Sequence, residues 1–153
     1  MSIATVHHDE DFYGWTQDQA AKLRRAAASR VNLPEPVDFE KLAEEIESLG
    51  VSQLRELYSR YIVLLIHLLK WQYQPDKRTA SWRSTINTQR REIADILSLS
   101  PGLKPKRPGR LAKAFEAARE DAAEETGLPL AHFPEICPYS IEQIEDRAWW
   151  PAD

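Results

Sequence analysis

Seven residues have the types and spacing to do chemistry together: Glu45, Glu47, Arg60, His67, Lys70, Arg83 and Arg90. Glu56, Arg60, His67, Lys70 and Gln74 recur at steps of three, four and seven, which aligns them in one polar row on a helix, with Val63 in the gap. Arg83 and Arg90, seven apart, share a side of the helix that follows. Glutamates brought to this row from the preceding helix would complete a Glu/His/Arg cluster, the kind that binds a metal or moves a proton between bundle helices. The di-metal form of that pattern needs Glu-x-x-His, a spacing the chain lacks. A single-metal site through Glu45 or Glu47 with His67 has no evident third ligand. The expectation is therefore a network of ion pairs and hydrogen bonds that fixes helix register, without metal or cofactor. An enzyme using metal or acid–base chemistry remains the third functional reading.

A second constellation suits an anionic polymer. Trp71, Tyr73 and Trp82 lie near Lys70, Lys77, Arg78, Arg83 and Arg91, and the loop carrying Lys104, Lys106, Arg107 and Arg110 could extend the patch. Rings interleaved with cations fit unpaired bases and phosphates. The plainer alternative is that the tryptophans are core and the cations solvated. His7, His8, Asp9, Glu10 and Asp11 include metal-ligating types, but a chain end loses much entropy on ordering, so residues 1–10 are expected to form a disordered arm. Cys137 sits among apolar residues without an adjacent base and reads as an inert packing residue. No glycine-rich phosphate loop or nucleophile elbow occurs.

The charge layout is uneven. Residues 1–50 carry 5 basic and 10 acidic groups, residues 51–115 carry 13 and 4, and residues 116–153 carry 2 and 10, for a net charge of −4. A basic middle can bind an anionic partner, or the acidic ends can fold back and neutralise it; the second is the commoner outcome in compact domains. An acidic overall pI of about 5.6 counts against a dedicated nucleic-acid binder. A single cysteine forbids an intramolecular disulfide and fits a reducing compartment. The N-terminal residues show no basic start followed by an apolar run, so no signal peptide and a cytoplasmic location are expected.

These residues must be positioned by helices. Leu54, Leu57, Tyr61, Leu64, Leu65 and Leu68 recur at three- and four-residue steps within Val51–Tyr73, and Ile62, Ile66 and Leu69 add a second apolar face. The run between Arg60 and Lys70 is too short for a membrane span, which needs roughly 20 apolar residues. It reads as a buried central helix over 52–73 with Ser52 as N-cap. Thr16 and Gln19 form a capping-box pattern opening a helix to Ser29, which the prolines around Leu33–Pro36 should end. Asp38 caps a helix over 39–49 with Phe39, Leu42, Ile46 and Leu49 inward, and Gly50 is placed to terminate it. Ser81 caps a helix to Leu99, with Trp82, Ile86, Ile93 and Leu97 inward and Gln89 on that face; the short connector at Pro75 makes it antiparallel to 52–73. A helix over 110–125 closes at Gly127, residues 127–153 form an extended strap, and Ser140 with Gln143 caps a short terminal helix. Trp149-Trp150-Pro151 implies that the strap is docked. The fold class is all-α: one helical bundle domain over 1–153 around the central antiparallel pair.

The segments DFYGWTQDQAAKLR, FEKLAEEIESLG, LLIHLLKWQYQPDKRTASWRSTINTQRREI, and ETGLP with FPEICPYSIEQI resemble the bacterial family filed as the twenty-ninth domain of unknown function, over about Asp11 to Trp150. HLLKWQYQP is the most specific part. The resemblance implies an all-helical fold and no particular activity. By elimination, the leading functional expectation is a non-enzymatic interaction or regulatory module with a protein partner. A nucleic-acid-binding protein is second, and homo-oligomerisation is compatible with either.

Overall fold

The computed structural model describes residues 5–29 and 36–152. Their regular structure is entirely helical, as expected: α1 (Phe12–Ser29), α2 (Phe39–Tyr73), α3 (Ala80–Leu99), α4 (Arg107–Thr126) and the short α5 (Ile141–Glu145), with 3-10 turns at Pro75–Lys77, Pro101–Lys106 and Leu130–His132. The described residues fall into two compact units, Met1–Arg55 with Ile96–Lys104, and Glu56–Asp95 with Pro105–Asp153. α2 and α3 each contribute residues to both.

In the first unit, α1 begins earlier than the sequence pattern predicts. Asp11 is its cap: Oδ1 accepts from the Gly14 N–H at 3.1 Å and from the Gly102 N–H at 3.0 Å, so one carboxylate starts the helix and ties it to the Pro101–Lys106 turn. A Cβ on either glycine would collide with that carboxylate. Thr16 is no cap. It is fully buried inside the helix, and its hydroxyl donates to the Tyr13 carbonyl at 2.7 Å. The expected disordered arm is a turn from His7 onward, where the His7 carbonyl accepts from the Glu10 and Asp11 N–H groups. The His8 ring meets the edges of Phe12 and Trp15, so apolar contact offsets the ordering cost. The proposed helix stop at Leu33–Pro36 falls largely outside the described residues.

α2 is one helix where two were expected. Asp38 caps it as anticipated, accepting from the Lys41 N–H at 3.0 Å. Gly50 then lies in its interior, buried, and Ser52 follows within the same helix. The glycine serves close approach rather than termination, because a Cβ there would strike the Thr16 hydroxyl. The inward face consequently runs through Ala43 and Gly50. Leu42 and Leu49, expected inside, are 44% and 52% exposed.

In the second unit, the apolar stretch of α2 is buried as expected, with Leu57, Tyr61, Leu64, Leu65, Leu68 and Leu69 all fully enclosed. Arg60 approaches Glu92, while Lys70 and Trp71 meet Trp82 and Arg83. Contacts paired in opposite chain order make this part of α2 antiparallel to α3. Thr79 rather than Ser81 caps α3, its hydroxyl accepting from the Trp82 N–H at 3.1 Å. α4 buries Leu111, Ala114, Phe115, Ala118 and Ala122 and ends at Gly127, whose φ of 72° only glycine adopts without strain. The Ser140–Gln143 capping box is present in both directions and opens α5.

Candidate functional site

Among the described residues Arg90 is the one charged side chain that is buried, at 1% exposure. Ile86, Arg90, Ile93 and Leu97 follow one another at steps of four, three and four, so the arginine sits in the apolar stripe of α3 itself. Among the described residues no carboxylate lies within ion-pair distance of it. Its Nε donates to the Ile144 carbonyl at 2.9 Å, Nη1 to Trp149 at 2.8 Å and Nη2 to Gln143 at 3.2 Å. Two of these carbonyls belong to the last turn of α5, where no intrahelical donor remains. Arg90 therefore caps α5 and fastens the chain beyond it. Burial pushes its pKa down, and the Asp146 carboxylate offsets part of that loss.

The C-terminal segment has further anchors. The Tyr61 hydroxyl donates to Glu145 Oε2 at 2.5 Å, and Arg107 pairs with Oε1 of the same carboxylate at 2.6 Å. Burial first, and Glu145 second, push the Tyr61 phenol far above its usual range, so it stays a donor. The Tyr139 hydroxyl donates to Gln72 at 2.6 Å. Trp150 packs on Trp71 at 4.6 Å between centroids. The expected docking of the tail aromatics thus has specific partners.

The seven-residue cluster anticipated from sequence is divided. Glu45 and Glu47 belong to the first unit and His67 to the second, and all three lie on the single helix α2. Glu47 pairs instead with Arg24 at 2.5 Å, an interaction that lowers its pKa, and Glu45 is exposed. Arg60 has Glu56 at 3.3 Å and Glu92 at 3.7 Å. Lys70 has Glu125 at 3.0 Å and sits 4.7 Å from the Trp82 ring centroid. The polar row does meet acids, but they come from α3 and α4. No group of three or more metal-ligating side chains occurs among the described residues. Lys70→Ala is expected to cost about 1–2 kcal/mol, since the side chain is 14% exposed and covers an indole, against about 0.5 kcal/mol or less for exposed Lys77→Ala. Urea melts of both variants check this.

His67 is half-buried, with Nδ1 2.8 Å from the Val63 carbonyl, to which it donates. Burial lowers its pKa, with Lys70 acting the same way against the opposing Val63 carbonyl and Glu125. The unfolded chain therefore binds a proton at higher pH than the folded one. The stability is present above the ordinary histidine pKa, roughly 6.5, and declines as pH falls through that value. His67→Gln should flatten the melting temperature between pH 7.5 and 5.5 relative to wild type; parallel pH profiles would show that His67 contributes no such term.

The nucleic-acid candidates are also dispersed. Lys77, Lys104 and Lys106 are exposed, Arg110 is half-exposed, and Arg107 is committed to Glu145. Arg78 Nε donates to the Trp71 carbonyl at 2.8 Å. Arg119, not singled out from sequence, likewise donates to the Phe133 and Leu130 carbonyls. Of the basic middle, Arg78 and Arg90 are thus engaged with backbone carbonyls. The rings that would stack bases are in use as well: Trp71 is buried against Arg78, Arg83 and Trp150, and Tyr73 meets His132 and Phe133 edge-on. Cys137 is half-buried, its thiol pushed up by burial, as suits a packing residue. No helix among the described residues is long and apolar enough to cross a membrane.

The family model for the domain of unknown function DUF29 matches residues 7–150, and the chain belongs to that family. The chain is also similar to an α-helical protein of unknown function from Rhodospirillum rubrum, known from its crystal structure, at 25% identity over 95% of this chain and 93% of the other, with a TM-score of 0.76. No curated protein matches.

Proposed function

We propose that this DUF29 member is a non-enzymatic protein-interaction module of the bacterial cytoplasm. The observation that supports this is the outward face of α2 in the first unit. Leu42 and Leu49 lie seven residues apart on it, about half-exposed, with Val37 at 45% exposure just before the helix. Glu45, exposed and without an ion pair among the described residues, falls between the two leucines on the same side. An apolar stripe broken by an acid fits an amphipathic helix whose apolar side carries a basic flank. A second copy fits less well: in a two-fold antiparallel pairing centred on the stripe, Glu45 would face its own counterpart.

The fit is tested with a labelled Leu/Lys amphipathic helical peptide, followed by fluorescence anisotropy against the full chain. Wild type should bind it, with affinity falling at least about tenfold in Leu42→Asp/Leu49→Asp and in Glu45→Lys. A Leu/Glu peptide should not bind. Equal affinity in all three proteins would refute the reading. So would a wild-type dimer in solution that Leu42→Asp/Leu49→Asp dissolves.

A nucleic-acid reading has less support, because the tryptophan faces and several arginines are already occupied within the chain.

A further inference from the structure

A recess of about 300 Å³ opens between α2 and α3 within the second unit, lined by Glu56, Ser59, Arg60, Val63 and Gln89. Gln89 stands three residues after Ile86 and four before Ile93, in the buried apolar stripe of α3. Among the described residues its Oε1 is the one buried side-chain polar atom without a hydrogen bond. Buried carbonyl oxygens are almost always paired, and an unpaired one costs stability that a leucine in the same place would not. A residue that breaks the local packing rule in this way points to a site. The other lining groups offer charges of both signs. Arg60 Nη2 lies 3.3 Å from Glu56 and 3.7 Å from Glu92, so one nitrogen of the fork serves both glutamates, and the arginine side chain is 30% exposed. Its Nε and Nη1 donate to nothing among the described residues.

We propose that this recess receives a free α-amino acid, with Gln89 and Glu56 accepting from its ammonium and Arg60 donating to its carboxylate. An ammonium carries three donors and no acceptor, which suits the Gln89 oxygen, the Glu56 carboxylate and the Ser59 hydroxyl together. The unused side of the Arg60 fork matches the two oxygens of a carboxylate. Gln89 is half-buried as a residue and has a flexible side chain, so its amide turns from the stripe toward the ammonium when the ligand enters. Val63 and the methylene stem of Arg60 supply an apolar wall for an aliphatic side chain, and the volume suits a small ligand. This site lies in the second unit and is independent of the helix face proposed above.

The test is a titration of the full chain with L-leucine, isoamylamine and isocaproate, read by calorimetry and by thermal melting. Isoamylamine is leucine without its carboxylate, and isocaproate is leucine without its ammonium. The expected result is saturable binding of leucine, binding of either half-molecule at least about tenfold weaker, and a melting temperature that rises with leucine concentration. Gln89→Leu should melt no lower than wild type without ligand, because it removes an unpaired buried oxygen, yet weaken leucine binding at least about tenfold and lose the thermal shift. That combination separates a ligand-binding group from a structural one. Arg60→Gln should weaken binding of leucine far more than that of isoamylamine. Far-UV circular dichroism confirms that each variant is folded. Absence of saturable leucine binding, undiminished binding in folded Gln89→Leu or Arg60→Gln, or a half-molecule binding as tightly as leucine, overturns the proposal. So does a ligand-free Gln89→Leu that melts well below wild type, since the amide would then belong to the packing.

Discussion

Arg90→Ala is expected to cost about 3–5 kcal/mol and to release the C-terminal segment. The side chain is 1% exposed and makes three hydrogen bonds from a charged donor, to Gln143, Ile144 and Trp149. Its removal leaves an opening in the stripe of Ile86 and Ile93 and takes the donor from three carbonyls at once. Arg90→Lys should recover little, since one ammonium cannot reproduce a planar fork spanning three acceptors. Arg90→Met separates packing from hydrogen bonding: it fills part of the space yet satisfies no carbonyl, and should lie between Ala and wild type. The melting midpoint in urea gives the size of the loss. Limited proteolysis gives its location, with new cuts expected around α5 and Trp149. A loss under about 1 kcal/mol with unaltered cleavage would mean that the segment is held chiefly by its other anchors.

Gly50→Val should cost about 3 kcal/mol, at the upper end of the range for overpacking. Helix propensity taken alone points the other way, since replacing an interior glycine gains a few tenths to about 1 kcal/mol. The sign is therefore diagnostic. In this structure a Cβ at Gly50 runs into the Thr16 hydroxyl and reaches within 3.3 Å of Thr16 Cβ, so the Thr16 side chain has to shift before any substituent fits. Gly50→Ala should already be a net loss. Combining either change with Thr16→Ala should recover part of it, because the hydroxyl is the nearest atom; a double-mutant cycle in urea measures that coupling. Stabilisation by Gly50→Ala would show that the two helices do not approach this closely.

Both predictions concern positions where the amino-acid pattern points somewhere else. The helices were legible: the apolar periodicity through Leu57, Tyr61, Leu64 and Leu68 gave the buried stretch of α2, Gly127 ended α4 and Ser140 with Gln143 opened α5. Gly50 was not, because glycine carries two meanings. It ends a helix through its left-handed conformation, or it admits a neighbour through its missing side chain, and only the position of Thr16 distinguishes them. That one ambiguity displaced the face of residues 39–49 and put Leu42 and Leu49 inside. It also suggested a separate 39–49 helix that would bring Glu45 and Glu47 to His67, whereas all three lie on one helix. Arg90 had a readable signal. It stands four residues after Ile86 and three before Ile93, on the stripe of α3, but a cation there is easily assigned to the neighbouring polar side with Arg83. What no pattern discloses is the acceptor: backbone carbonyls have no letter in the sequence, so the engagements of Arg78, Arg90 and Arg119 were invisible. The same holds for Lys70, whose acid lies 55 residues away in α4.

The most direct test of the account is amide hydrogen exchange in wild type and Arg90→Met. If a buried guanidinium fastens the chain beyond α4, amides of residues 139–150 should be protected in wild type and lose protection in the variant, while α1 keeps its own. Unchanged protection of 139–150 in Arg90→Met would contradict it.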